Sequence, residues 1–200
     1  MGEKELALQV SESIEKYFFV NDRCSDCLHC SAGTPAEHAS ADDHNRSNQL
    51  LLITLNAIKD PEKIRLILDS AAELLVPGGI RSLADEQVSF SLPVYHHGRL
   101  LNDPVHPYRG KYCGPEDTER KVAYHNGTVW CWPFPAYCEA LFMAGGPAVR
   151  KRALTILMSV AKYFECGAAG QLPEVADGDA PHIPGGCLSE GKEHRENLQI

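Results

Sequence analysis

The stretch Tyr124 to Leu141, YHNGTVWCWPFPAYCEAL, sets His, Asn, two Trp and two Tyr around a Gly turn that opens an apolar, helix-forming run. Rings that also carry a hydrogen-bonding edge suit a ligand with apolar faces and hydroxyl rims, and a sugar ring is the commonest of that kind. The same composition suits a helix that is simply buried. A second stretch, QLPEVADGDAPHIPGGC from Gln171 to Cys187, places Glu174 among Asp, His, Gly and Pro in a loop that follows an apolar helix.

Outward from these two stretches the chain reads as helices joined by long loops. Leu6, Val10, Ile14, Tyr17 and Phe18 recur at helical spacing and predict an amphipathic helix over Glu3 to Phe19. The following NDRCSDCLHCSAGTPAEHASADDHN has no period and predicts a long loop. From Arg46 the run RSNQLLLITLNAI is apolar at nearly every position between Leu50 and Ile58, as expected of an inner helix covered on most sides. Asp60 reads as an N-cap with Pro61 at the first helical position, and Ile64, Ile67, Leu68, Ala71, Leu74 and Leu75 give an outer helix that Pro77, Gly78 and Gly79 end.

Between Pro77 and Lys121 no helical period is found, and Val88 to Tyr95 reads as a short strand. A connection this long inside a compact domain is usually functional, so His106, Tyr108, Arg109 and Tyr112 are candidates to line a cleft, or to tie the loop down. The aromatic stretch then predicts an inner helix over Val129 to Met143. Gly145, Gly146 and Pro147 break it, and AVRKRALTILMSVAKYFE predicts an outer helix over Val149 to Phe164. The expectation is an all-α chain of antiparallel helix hairpins with long rim loops, and no sequence repeat is detectable.

Composition excludes several functions. The net charge of −8, with 19 Lys and Arg scattered along the chain, argues against a nucleic-acid partner. No apolar run approaches the roughly 20 residues that span a bilayer, and MGEKELALQV carries charges where a signal peptide needs its apolar core, so no membrane partner and a cytoplasmic location are expected. Leu6 stands where a myristoylation signal needs Ser or Thr. The eight cysteines are read as reduced thiols. Cys24, Cys27 and Cys30, with His29 beside them, resemble the first part of an iron-sulfur run, but the fourth Cys is absent and zinc would need a distant fourth ligand. No metal site is therefore assigned, and no cofactor is expected.

Four motifs in order give a more specific reading. Arg46, Asn48 and Gln49 open the apolar helix, and Tyr108, Arg109 and Gly110 form a Y-R-G loop. Tyr124, His125, Gly127, Thr128, Val129 and Trp130 follow, and then Pro173, Glu174, Gly186 and Cys187. This order resembles the C-terminal, amylo-alpha-1,6-glucosidase domain of glycogen debranching enzymes. The resemblance implies a glucoamylase-like (α/α)6 toroid that hydrolyses alpha-1,6-glucosidic branch linkages of glycogen or other alpha-glucans with inversion. In such chemistry one carboxyl group protonates the leaving oxygen while a carboxylate about 6.5 to 9.5 Å away activates water.

The resemblance makes Glu174 the catalytic base and Tyr108, Arg109, Tyr124, His125, Trp130 and His182 the substrate-binding residues. The family carries its acid as an Asp beside a Trp, upstream of the Arg46 helix, and both tryptophans here lie at 130 and 132. A twelve-helix toroid needs roughly twice this length. Residues 1–187 are thus expected to be the C-terminal half of such a domain, completed by its missing half or by self-association through exposed apolar ends, with 188–200 a polar tail in place of an A-Q-A-W-S helix. Asn126, Cys131, Ser47 and Pro135 are further departures. Two other readings stay open: a non-catalytic or vestigial carbohydrate-binding domain, and a metal-binding helical module.

Overall fold

The computed structural model describes residues 2–166 and 168–187. Six α-helices run through them: α1 (Glu3–Tyr17), α2 (Leu51–Thr54), α3 (Pro61–Ala72), α4 (Lys121–Ala123), α5 (Phe134–Ala144) and α6 (Pro147–Met158). The local chemistry of α3 matches its sequence signal. The Asp60 side chain accepts from the Glu62 N–H at 2.9 Å, Pro61 fills the first position, and Ile67, Ser70 and Ala71 turn inward. Helix α5 buries Phe134, Tyr137, Cys138 and Ala140 and packs against α2, α3 and α6, so it is the hub of the helical layer. Around it lie Leu50, Ile53, Ile58, Ile67, Leu74 and Ile80, each buried to within a few per cent of completely. Helix α6 buries only Ala153, and α1 buries no residue fully, although Ile14 and Phe18 rest against the core.

The expected all-α class needs correction, because small antiparallel sheets accompany the helices. The largest has five strands in the order Pro184–Gly185, Val175–Ala176, Val129–Trp130, Gly79–Arg81, Leu75–Val76. Its registers pair Val175 with Trp130 and with Gly185, and Ile80 with Trp130. Pro77 and Gly78 make the tight turn between the last two strands; Gly78 has φ +78°, and its N–H meets Ser159 Oγ at 2.9 Å. Behind the sheet, Tyr163 of the 3-10 helix Ser159–Tyr163 packs with Val76, Val129, Cys131 and Ala176 in a second, smaller core.

Four expected elements change. The 50–58 run is a 3-10 turn (Ser47–Leu50) followed by only four α-helical residues, because Asn56 at φ +55° ends the helix and leaves Leu55 exposed. The 129–143 helix begins at Phe134: Val129 and Trp130, residues of high β-propensity, join the sheet, and the prolines at 133 and 135 set the helix start. No strand spans 88–95, where Pro93 lacks the N–H a ladder needs; the hairpin is instead Tyr95–His96 with Arg99–Leu100, turned by His97 at φ +46° and Gly98 at φ +77°. The outer helix expected over 149–164 is α from Pro147 to Met158 and 3-10 to Tyr163. The 188–200 tail lies outside the described residues.

Candidate active site

Glu174 directly precedes the strand Val175–Ala176, and that strand's pairing with Val129–Trp130 carries it to the aromatic turn. Its loop is closed at the base twice: the Glu174 N–H donates to the Cys187 carbonyl at 2.9 Å, and the Cys187 N–H donates to Glu174 Oε2 at 2.8 Å. The other carboxylate oxygen accepts from Tyr124 Oη at 2.8 Å. A side chain at 186 would lie 2.7 Å from Glu174 Oε2, and Gly186 itself has φ +69°, so glycine is required beside the carboxylate.

The rings assemble around Tyr124. Its centroid is 4.7 Å from that of Trp130 and 4.7 Å from that of His125, both edge-on, and 5.6 Å from that of Tyr112. His125 and Trp130 lie parallel, 6° apart, at 5.6 Å. Trp130 Nε1 donates to the Tyr124 carbonyl at 3.0 Å, which fixes the indole plane. Burial first, and then the hydrogen bond to Glu174, push the Tyr124 phenol well above its ordinary value, so it stays a donor to that carboxylate. Loss of hydration, with a smaller effect of the Arg46 charge, holds the His125 imidazole below its ordinary value.

Arg46 supports this turn from the other side. Its guanidinium donates to the Ser82 carbonyl at 3.2 Å, to Asn126 Oδ1 at 3.0 Å and to the His125 carbonyl. Gln49 is a buried tie. Its Oε1 accepts from the Cys24 N–H and Ser70 Oγ, and its Nε2 donates to Asn45 Oδ1 and the Arg46 carbonyl. Asn48 turns away from both, to donate to Asp26 Oδ2 at 2.7 Å.

Three backbone segments meet beneath the rings. A methyl group on Gly127 would fall 2.6 Å from the Arg109 carbonyl oxygen, one on Gly178 would fall 2.2 Å from that of Gly127, and one on Gly110 would strike the Asp179 carboxylate. Tyr108 Oη donates to Asp179 Oδ1 at 2.9 Å, and Arg81 lies over the Tyr108 ring while donating to the Gly178 carbonyl. Tyr108 is thereby tied to the loop carrying Glu174, and burial, then Asp179, raise its phenol strongly.

The six expected binding residues therefore divide. Tyr124, His125 and Trp130 share the cluster at Glu174. Tyr108 and Arg109 line a separate cleft of about 490 Å³ with Arg99, Asn102, His106 and Glu119, while His125 and Trp130 border a smaller one of about 80 Å³ with Arg46 and Trp132. His182, at φ +60°, faces back on its own loop, its Nδ1 3.0 Å from the Asp177 carbonyl. Of the cleft candidates, exposed His106 pairs with Asp85, and Tyr112 is held through its N–H by Asp177 Oδ1 at 2.8 Å.

Sequence reasoning named no role for Asp177, Gly178, Asp179, Ser82 or Asn126, which hold the site together. The D-G-D run at 177–179 was the available signal, since closely spaced Asp and Gly mark a turn whose carboxylates accept backbone N–H groups. A cleft of about 970 Å³ lies elsewhere, along α1, where Leu6, Val10, Ile14 and Leu51 make it mostly apolar. It also takes in Asp26, whose carboxyl is pushed up by loss of hydration against the opposing effects of Asn48 and Arg46. Among the described residues no helix is long and apolar enough to cross a membrane.

No curated protein matches the chain. The sequence profile described as amylo-alpha-1,6-glucosidase matches residues 3–191, a span that takes in all four motifs and every residue of the Glu174 cluster, and the chain belongs to that family.

Proposed function

We propose that the chain contributes the base half of an inverting glycosidase site that opens alpha-1,6-glucosidic linkages in alpha-glucans. The observation that carries this reading is the juxtaposition at Glu174: a carboxylate oriented by the Tyr124 hydroxyl and the Cys187 N–H, one strand away from the parallel faces of His125 and Trp130. Aromatic faces take the apolar side of a sugar ring, and an oriented carboxylate can accept a proton from water as that water attacks the anomeric carbon.

The acid that must protonate the leaving oxygen belongs, by resemblance, to a Trp-Asp segment that these 200 residues do not contain. The α5–α6 hairpin, joined through Gly145 and Gly146, is the kind of unit from which an (α/α)6 toroid is built, which supports reading residues 1–187 as part of such a domain. An alpha-glucan substrate and a cytoplasmic location follow from the same reading.

The test is complementation. Alone, the chain should bind glucose or short alpha-glucans weakly and hydrolyse an alpha-1,6-linked glucoside negligibly, because general acid assistance is worth about 10² to 10⁴ in rate. Supplying the Trp-Asp segment of the family as a second polypeptide should restore hydrolysis with release of the inverted anomer. Glu174→Gln should then abolish the restored rate and leave sugar binding nearly intact. Restored hydrolysis that ignores this substitution ends the proposal.

A further inference from the structure

A second constellation, in the loop before Arg46, has no part in that chemistry. The short hairpin pairing Leu28–His29 with Ser40–Ala41 brings Cys27, His29 and Asp42 together. Cys27 Sγ lies 3.3 Å from His29 Nε2 and 3.3 Å from Asp42 Oδ2, and those last two atoms are 3.0 Å apart. His44 approaches the same carboxylate oxygen, its Nδ1 3.5 Å from Asp42 Oδ2. Asp42 and His44 are both buried.

The surroundings aim these atoms. His44 Nε2 sits 2.7 Å from the Phe90 carbonyl oxygen, an acceptor only, so the ring proton is on Nε2. Its Nδ1 faces Asp42 Oδ2, so that His44 borders the same carboxylate oxygen that meets Cys27 and His29. Asp42 Oδ1 is held by Ser25 Oγ at 2.9 Å, which leaves Oδ2 as the atom facing the cluster. His29 is fixed by stacking on Phe90, 3.8 Å between centroids.

A nucleophilic cysteine would need His29 to use one ring nitrogen on the thiol and the other on the carboxylate. Here the single Nε2 meets both, as donors around one central ion do. We propose that Cys27, His29 and Asp42 hold one divalent ion of the zinc class, with water completing the tetrahedron and His44 beside the Asp42 carboxylate. Metal–ligand lengths of about 2.0 to 2.3 Å at tetrahedral angles put donor atoms about 3.4 to 3.6 Å apart, and the three separations of 3.0 to 3.3 Å among Cys27, His29 and Asp42 come near this. One thiolate and one carboxylate balance the ionic charge, and the mixed S, N and O set suits zinc and disfavours magnesium or calcium, which take oxygen. On binding, Cys27 loses its proton to water as the metal–sulfur bond forms, while the His29 imidazole binds neutral. Cys24, buried with its Sγ toward the Ser25 carbonyl, and exposed Cys30 are not ligands.

Titration of the metal-stripped full chain with Co²⁺, followed by displacement with Zn²⁺, tests this. We expect one equivalent of Co²⁺, with a thiolate-to-cobalt charge-transfer band and tetrahedral visible bands that Zn²⁺ erases. Loss of groups that only orient a ligand costs about 10- to 100-fold in metal affinity, so Cys27→Ser and His29→Ala should each weaken binding by about 100-fold or more. Cys27→Ser should also remove the charge-transfer band, while Cys30→Ser and Cys113→Ser leave titration and spectrum unchanged. Failure of the unmodified chain to bind either ion at micromolar concentration overturns the proposal. So does a charge-transfer band that survives Cys27→Ser. Neither readout depends on hydrolysis.

Discussion

At the sheet beside Glu174, three backbone segments pass so closely that Gly110, Gly127 and Gly178 each lack room for a methyl group, whereas α1 runs its whole length without fully burying a residue. The obstacle is a backbone carbonyl at Gly127 and Gly178 and the Asp179 carboxylate at Gly110. The second region leaves Leu6, Leu8 and Val10 exposed on the surface. Position is therefore over-determined where the carboxylate must be held and loosely determined at the α1 end, and substitutions should separate the two regions by size of effect.

The largest effect should come from Gly127→Ala. At φ +136° an alanine is strained, and its methyl group would also meet the Arg109 carbonyl, so a loss of more than about 3 kcal/mol is expected in urea unfolding. A loss below 1 kcal/mol would show that the three segments can spread apart. Next, Tyr124→Phe removes a hydrogen bond to an ionised partner and should cost about 1.5 to 3 kcal/mol, read from the same experiment.

Between the two extremes stands Asp43. Burial pushes its carboxyl upward, but hydrogen bonds from the Ser89 and Phe90 N–H groups and from Ser89 Oγ outweigh that and bring it down to about 2. A depressed carboxyl stabilises the folded state above its unfolded value of about 3.9, and this contribution is lost as pH falls toward 2. Thermal unfolding of Asp43→Asn should lose part of the wild-type decline between about pH 4 and pH 2; an identical decline would remove Asp43 from the account. The smallest effect should be Leu8→Ser, within about 0.5 kcal/mol of the parent in urea, because the residue is already 60% exposed. A larger loss would mean that α1 is covered in solution, and light scattering would then show association.

What could be read beforehand follows the length of the signal. The start of α3 was legible because a cap, a proline and an apolar stripe agree over twelve residues. The start of α6 was legible from Gly146 and Pro147. The five-stranded sheet was not, since nearly all its strands are two residues long and show no alternation. Glu174 and the aromatic turn were singled out through motif order, and the pairing of Val175 with Trp130 sets the two side by side. The partner of Cys27 was missed for a different reason: Asp42 lies fifteen residues away, across a hairpin whose strands are also two residues each.

The sheet has a consequence for how the chain reaches its native state. Its five strands are drawn from residues 75–81, 129–130, 175–176 and 184–185, so all but the first and last pairings close loops of some forty residues or more. Contacts of such separation repay their loop entropy only when most of the chain is already in place, and they slow folding accordingly. The pocket wall at Glu174 should therefore assemble after the α5–α6 hairpin, whose two helices adjoin in sequence. Trp130, in the central strand, reports the late event, and exposed Trp132, two residues on, stays largely indifferent to it.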